Sequence, residues 1–317
     1  MKKYLLLLVL LLILTSTGCS SQSSENKKPI RIGVLPIEDT LPLYVAESED
    51  FFKQSGVEVE LISFNSARDR DMALQAGEID GEVADVLAAA LLEKSDVGVS
   101  IITLTLGVSP KEGRFALLSS PNSKILTPEQ VKGASVGISE NTIIEYVLDQ
   151  LLTIAGVDSS GINKEAIPRI PERLELLLND QIDTAVLPDP LASLAEAEGA
   201  HVILDDTKTQ ENISQVVLMF SENSVNNNSD NIAKILEAYN KAVQEFNDNP
   251  EQYRDLFIEK ARVPKPIQDI YQPPKFSPAQ VPKEADINRL FSWMKEKDLI
   301  DDSVRYSDLI DSRFLKD

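Results

Sequence analysis

Leu74–Asp85, LQAGEIDGEVAD, and Leu177–Pro190, LLNDQIDTAVLPDP, are two versions of one local plan. In each, a leucine near the end of a helical pattern is followed by a polar turn, an Ile-Asp pair and a short run reaching valine. Each copy therefore predicts a helix end, a turn and a strand, with a carboxylate, Asp85 or Asp189, just beyond the strand's C-terminal end. Open parallel sheets bind ligands at that end. Two widely separated copies predict two such sheets.

Outward from these stretches, β-rich runs alternate with helical patterns, the mark of parallel sheets wrapped by helices. Before and after the first copy, the pattern predicts strands at Ile32–Leu35, Val57–Ile62, Ile79–Val83 and Ser100–Leu106. Helices fall at Leu41–Lys53, Ala67–Ala76 and Val86–Lys94. Around the second copy it predicts strands at Phe115–Ser119, Ala134–Ile138, Ala166–Ile170, Asp183–Leu187 and Val202–Leu204. The helices there are Thr142–Ala155, Pro171–Asn179 and Leu191–Ala197. One more strand, Ser214–Phe220, precedes a stretch that is helical only, interrupted by the proline-rich interval Val263–Pro282. Thr127 with Gln130 and Pro128 reads as a capping box, and Thr142 with Glu145 as another.

The N-terminus suggests a compartment. Lys2 and Lys3, the apolar run Leu5–Leu14 and then Ser16-Thr17-Gly18-Cys19 have the layout of a secretory signal over residues 1–18, too short to span a bilayer. Cys19 is the one cysteine of 317 residues and stands where cleavage would occur, so it is expected to carry lipid. Residues 19–28, polar and without large apolar groups, read as a flexible tether. With Cys19 so used, no disulfide or cysteine-bearing metal site is expected. The net charge of −20 becomes more negative once the two signal lysines are removed, which argues against nucleic acid and anionic lipid as partners.

Four stretches carry a family resemblance: IRIGVLPIEDTLPLYVAESEDFFKQSGVEVEL at Ile30–Leu61, ALQAGEIDG at Ala73–Gly81, LTPEQVKGASVGI at Leu126–Ile138, and IDTAVLPDPLASLAEAEGAHVIL at Ile182–Leu204. By their order and spacing the chain resembles the NMT1/THI5-like binding proteins of ABC importers, the sulfonate, nitrate and thiamine-pyrimidine type. The resemblance implies the type II periplasmic-binding-protein fold, an α/β fold of two lobes, each a mostly parallel sheet flanked by helices, with a helical C-terminal extension. Lobe I would be residues 29–110 and 210–317, lobe II residues 111–209, with crossings near Gly107–Gly113 and Asp205–Ile213. It further implies a small-molecule solute held between hinged lobes, a membrane permease as partner, a monomer anchored through Cys19 outside the cytoplasm, and no cofactor.

The same resemblance points to the loops after the strands for ligand groups. Glu38, Asp39 and Thr40 precede a helix whose free amides want an acceptor; capping by Asp39 or Thr40 leaves Glu38 the freest. Tyr44 could stack on a flat ligand or pack in the core. Ser66 and Thr142, with Ser139 and Asn141 beside the latter, stand at helix N-termini able to hold an anion. Arg68 and Arg70 are expected to be solvated, Arg68 being the one placed for a ligand. Asp85 either meets the ligand or caps the following helix. Arg114, at a crossing, reaches the cleft or pairs with Glu112. Asp189, between two prolines, has little local choice of partner and is expected to face the cleft. Acids outnumber bases in this set, which favours a solute with N–H donors or positive charge, such as an aminopyrimidine, over a nitrate or sulfonate.

An enzyme on the same fold is the rival class. His201 and Cys19 are the only histidine and cysteine, and His201 starts a strand away from the ligand loops, leaving no conventional nucleophile–base pair or iron cluster. A lipid-anchored sensory module is the other rival; it predicts a partner-binding patch instead of a closing cleft.

Overall fold

The computed structural model describes residues 28–95 and 97–315. The stretches expected to be a signal peptide, a lipid-bearing Cys19 and a tether lie, up to residue 27, outside the described residues.

Ten strands form two five-stranded sheets. The first contains β1 (Ile30–Val34), β2 (Val59–Ser63), β3 (Gly81–Asp85), β4 (Val99–Leu106) and β10 (Val216–Ser221), in the order β2-β1-β3-β10-β4. The second contains β5 (Phe115–Ser119), β6 (Ser135–Ile138), β7 (Asn163–Ala166), β8 (Thr184–Pro188) and β9 (His201–Asp205), in the order β7-β6-β8-β5-β9. In each, the strand second from one edge, β10 or β5, runs antiparallel to both neighbours, and the other four share a direction. The two sheets thus have matching orders, and each carries its opposed strand at the point where the chain crosses between lobes.

Eleven α-helices accompany them among the described residues: α1 (Leu41–Ser48), α2 (Phe51–Gln54), α3 (Ala67–Gln75), α4 (Val86–Lys94), α5 (Ile143–Ile154), α6 (Ile170–Leu178), α7 (Leu191–Ala197), α8 (Glu222–Asp248), α9 (Arg254–Lys260), α10 (Glu284–Glu296) and α11 (Tyr306–Leu309). The single expected helix 41–53 is two, because Asp50 adopts a left-handed φ of 56° between them. The strand expected at Ala166–Ile170 lies earlier, at Asn163–Ala166; its sequence NKEA is largely exposed at a sheet edge and carries no apolar alternation to mark it.

Strands covered on both faces read as continuous apolar runs, with alternate residues sent to opposite layers. In β10, Val216, Leu218 and Phe220 enter the layer with α1, α2, α8 and α9, while Val217 and Met219 enter the layer with α4 and α10. In β5, Leu117 joins that second layer and Ala116 and Leu118 face the layer of α6 and α7. The second layer is shared: one apolar cluster runs from α4 through α10 to Ile144, Val147, Leu148 and Leu151 of α5, and so spans both lobes.

The repeat seen in the sequence extends into packing. Gly33 pairs with Glu82 and Gly137 with Ala185 at equivalent registers. A Cβ on Gly33 would meet Ile79 at 2.6 Å and Arg70 at 3.0 Å; on Gly137 it would meet Ile182 at 2.8 Å and Arg173 at 3.2 Å. Each lobe therefore folds a helical arginine across a strand glycine.

Candidate functional site

Between the crossings, the C-terminal ends of the two sheets face one another. From the first lobe, β1 ends at Val34 and the chain enters a tight turn over Glu38–Thr40. Glu38 and Asp39 are each 5% exposed, and Asp85 and Asp189 each 7%. The capping expected of Asp39 or Thr40 is not made: the Thr40 hydroxyl donates back to the Ile37 carbonyl at 3.1 Å, and Asp39 Oδ1 is buried without a hydrogen-bond partner. Asp85 does cap α4, accepting from the Ala88 amide at 2.9 Å.

Burial raises the Glu38 carboxyl well above its usual range, and the nearby Asp189 of the other lobe raises it further. Asp189 is raised as well, chiefly by burial, with Arg114 pulling the other way. Asp39 is pushed up to about 7 by burial, and Asp85 to about 6 by the same cause. Acidic groups from both lobes thus converge where little solvent reaches.

Several expected ligand groups are committed elsewhere. Tyr44 packs in the first apolar layer with the Lys260 ammonium 5.3 Å from its ring centre, so its face is not offered to a solute. Arg114 does not pair with Glu112. Its guanidinium meets Asp205 at 2.9 Å, Glu196 at 3.0 Å and Asp189 at 3.8 Å, because β5, β9 and α7 meet there. Asp189 also finds local partners, contrary to expectation: its Oδ1 accepts from the amide and hydroxyl of Ser193, one helical turn on, each at 2.9 Å. Ser66 caps α3 through the Asp69 amide at 3.1 Å.

Arg68 is exposed and lines a gap of about 490 Å³ between α3 and α4 of one lobe and Ser139, Asn141 and Thr142 of the other. There, Asn141 takes a left-handed φ of 57°, Thr142 accepts from the Ile144 amide at 3.2 Å and donates to the Ser139 carbonyl at 2.7 Å, and Glu145 accepts from the Asn141 amide at 2.8 Å. Arg70, expected to be solvated, is 2% exposed. It lies on the opposite side of α3 from Arg68, donates to the Val83 carbonyl at 2.7 Å and pairs with Asp71 at 2.7 Å and Glu82 at 3.4 Å. Burial opposes its charge, but Asp71 and Glu82 more than offset this and its pKa is raised.

Three residues outside the expected set belong to this neighbourhood. Tyr271, from the proline-rich interval, donates its hydroxyl to Glu38 Oε2 and stacks on Phe257 with ring centres 5.6 Å apart. Asp206 accepts from the Phe115 amide at 2.8 Å and the Ser214 hydroxyl at 2.6 Å, tying the two crossings together; burial pushes it up to about 7. Arg173 is fully buried, donates one bond to the Ile167 carbonyl at 3.1 Å, and leaves Nε and Nη2 unpartnered. Its lobe carries Ala185 where the other lobe supplies Glu82, and burial lowers the guanidinium to about 9. The signal for Arg173 was present: Arg70 and Arg173 each stand four residues before the matched leucines of the repeat.

Among the described residues no group of three or more His, Cys, Asp or Glu side chains is arranged to hold a metal ion. Chemically, the buried acids offer carboxyl groups to a molecule with N–H donors, while the separate 490 Å³ gap offers Arg68 and the N-terminus of α5.

The family model described as NMT1/THI5 like matches residues 38–253. The chain belongs to the NMT1/THI5-like family. A curated protein of Brachyspira hyodysenteriae, provisionally named an ABC transporter periplasmic binding protein, is 24% identical over 245 residues, covering 73% of this chain and 68% of that one. Among solved structures, the ligand-binding component of an ABC-type import system from Staphylococcus aureus, with zinc bound, superposes with a TM-score of 0.75 at 16% identity, covering 91% of this chain and 98% of that one. The periplasmic aliphatic sulphonate binding protein SsuA from Escherichia coli superposes with a TM-score of 0.72 at 18% identity, covering 87% and 95%. The NMT1/THI5-like chain therefore has the two-lobed type II binding-protein fold.

Proposed function

We propose that this protein is the extracytoplasmic solute-binding component of an ABC importer and not an enzyme, capturing a small organic solute between its lobes and delivering it to a membrane permease. The observation that carries the reading is the meeting of Glu38 and Asp189: one from each lobe, both buried, close enough for each charge to act on the other. A site divided in this way binds only when the lobes come together, so solute occupancy and shape are linked. Family membership and the name of the Brachyspira relative support the transport role. On this reading the protein is a monomer held to the membrane through lipid on Cys19, with lobe I at 29–110 and 210–317 and lobe II at 111–209.

The solute class that fits the acidic gap is an amine-bearing or heterocyclic compound whose N–H groups replace the water lost by Glu38, Asp39 and Asp189. An anion of the sulfonate or nitrate type is the second reading, favoured by Arg68 and the N-terminus of α5 at the 490 Å³ gap. A thermal-unfolding screen of the mature protein against aminopyrimidines, alkanesulfonates, nitrate, bicarbonate and aromatic acids decides between them. A solute present at about 100 times its Kd adds about 2.7 kcal/mol to the unfolding free energy. Stabilisation by sulfonates or nitrate alone refutes the amine reading, and stabilisation by none of the panel counts against solute capture.

A further inference from the structure

Residues of the C-terminal part grip the second lobe on both of its faces. Helix α10 is fastened to the first lobe at each end: Gln280 accepts from the Leu104 amide at 2.7 Å before it, and Leu299 accepts from Lys94 at 2.7 Å after it. Its other side meets α5. Trp293 packs edge-on against Tyr146 with ring centres 5.4 Å apart and donates its indole N–H to Asp149 at 2.9 Å. Lys297 reaches Glu145 at 2.6 Å, and Lys164 from β7 joins the same two acids. Glu145 and Asp149 are buried, where charge-assisted bonds are strongest.

The opposite faces of the sheets carry a second contact. The turn Lys265–Ile267 lies against α7, and Leu194 of that helix packs with both the first lobe's apolar layer and its own. Tyr271, a few residues on, holds Glu38.

We propose that residues 254–315 form a two-armed clasp that limits how far the lobes part, so that Asp149, Trp293, Lys297 and Leu194 are positioning residues for solute capture without touching the solute. The inference rests on the solute-binding reading. The arms lie on opposite faces of the sheets, and a rotation about the crossings that opens either face pulls the arm on that face apart. Closure is then held by contacts remote from the solute, and weakening them shifts the population toward the open form.

Trp293 is the chain's one tryptophan, so its emission reports on the α10 arm directly. The test compares the mature wild type with Asp149→Ala/Lys297→Ala, with Leu194→Ala and with all three changes combined, in the absence of any added solute. The readouts are radius of gyration by small-angle X-ray scattering, Trp293 emission and far-UV circular dichroism. Each arm variant is expected to raise the radius of gyration, the combination more than either, with helix content unchanged; the α10-arm variant is expected to red-shift the emission. A folded combination with the wild-type radius of gyration overturns the clasp. Should the combination fail to fold, Trp293→Phe, which keeps the apolar packing and loses the donor, must raise the radius of gyration by itself or the proposal falls. Because no solute is used, failure here leaves the solute-binding reading standing, whereas an unresponsive solute panel counts against that reading without moving the radius of gyration.

Discussion

Asp39→Asn should make the empty protein more resistant to urea, and by an amount that grows with pH. Asp39 is buried, one of its oxygens has no partner, and burial lifts its pKa from 3.8 to about 7. A carboxyl raised in this way keeps its proton in the folded state over a range where the unfolded chain has lost it. Its stabilising contribution is complete below about 3.8 and is lost as pH climbs through about 7. Between pH 5 and pH 8 that loss is about 3 kcal/mol for one fully buried group, since holding a proton that the unfolded chain has released costs about 1.4 kcal/mol for every pH unit climbed. Asparagine keeps the shape and carries no titrating proton, so it escapes the loss. Arg70 lowers and Asp85 raises the Asp39 pKa, so the two neighbours oppose one another and leave burial as the cause. Urea unfolding of wild type and variant at both pH values measures the difference directly. An advantage for the variant that is the same at pH 5 and pH 8 would refute the idea that ionised Asp39 is uncompensated.

The two buried arginines should behave oppositely. Arg70→Met strands Glu82, which is wholly buried, and should cost about 3–5 kcal/mol, whereas Arg173→Met removes a charge with no acid beside it and should be neutral or stabilising by about 1–4 kcal/mol; the reverse order in urea melts would invalidate the pairing argument. Gly81→Ala places a Cβ 2.4 Å from the Phe220 ring and 2.6 Å from the Met219 carbonyl, and should lower thermal stability by about 1–3 kcal/mol or more; an unchanged melting temperature would mean that β3 and β10 separate more readily than their register implies. For any solute identified by the screen, Glu38→Gln and Asp189→Asn should each weaken binding at least about tenfold by calorimetry, with Arg68→Ala nearly silent; equal losses in all three would dispose of the acidic-gap argument. Arg70 is unsuitable as the control, because its role is structural.

Elements buried on both faces announced themselves. Phe115–Ser119 and Val86–Lys94 form over the residues that their apolar content predicts, since nothing else could cover those side chains. The edge strand β7 gave no such sign, being polar and exposed. Acids at strand ends were legible from local position: Asp85 is the last residue of β3 and Asp189 directly follows β8, where the repeat puts them. Contacts across long stretches of chain were not. Tyr271 reaches Glu38 from a proline-rich segment without periodicity, and Arg114 is claimed by Asp205 and Glu196, which only the sheet order brings near. Arg68 and Arg70 illustrate a finer limit: two residues apart on one helix, they point to opposite sides, and only the position of the sheet says which is inside.

Strand β10 also dictates a timetable. The first sheet is laid down by residues 30–106, yet β3 and β4 are joined within the sheet only by Val216–Ser221, which slot between them. The second sheet is complete in one uninterrupted stretch, 115–205. During synthesis the N-terminal half is therefore born first and finished last. Until the later strand arrives, β3 and β4 each present a bare apolar edge, and the chain is most exposed to mispairing in that interval.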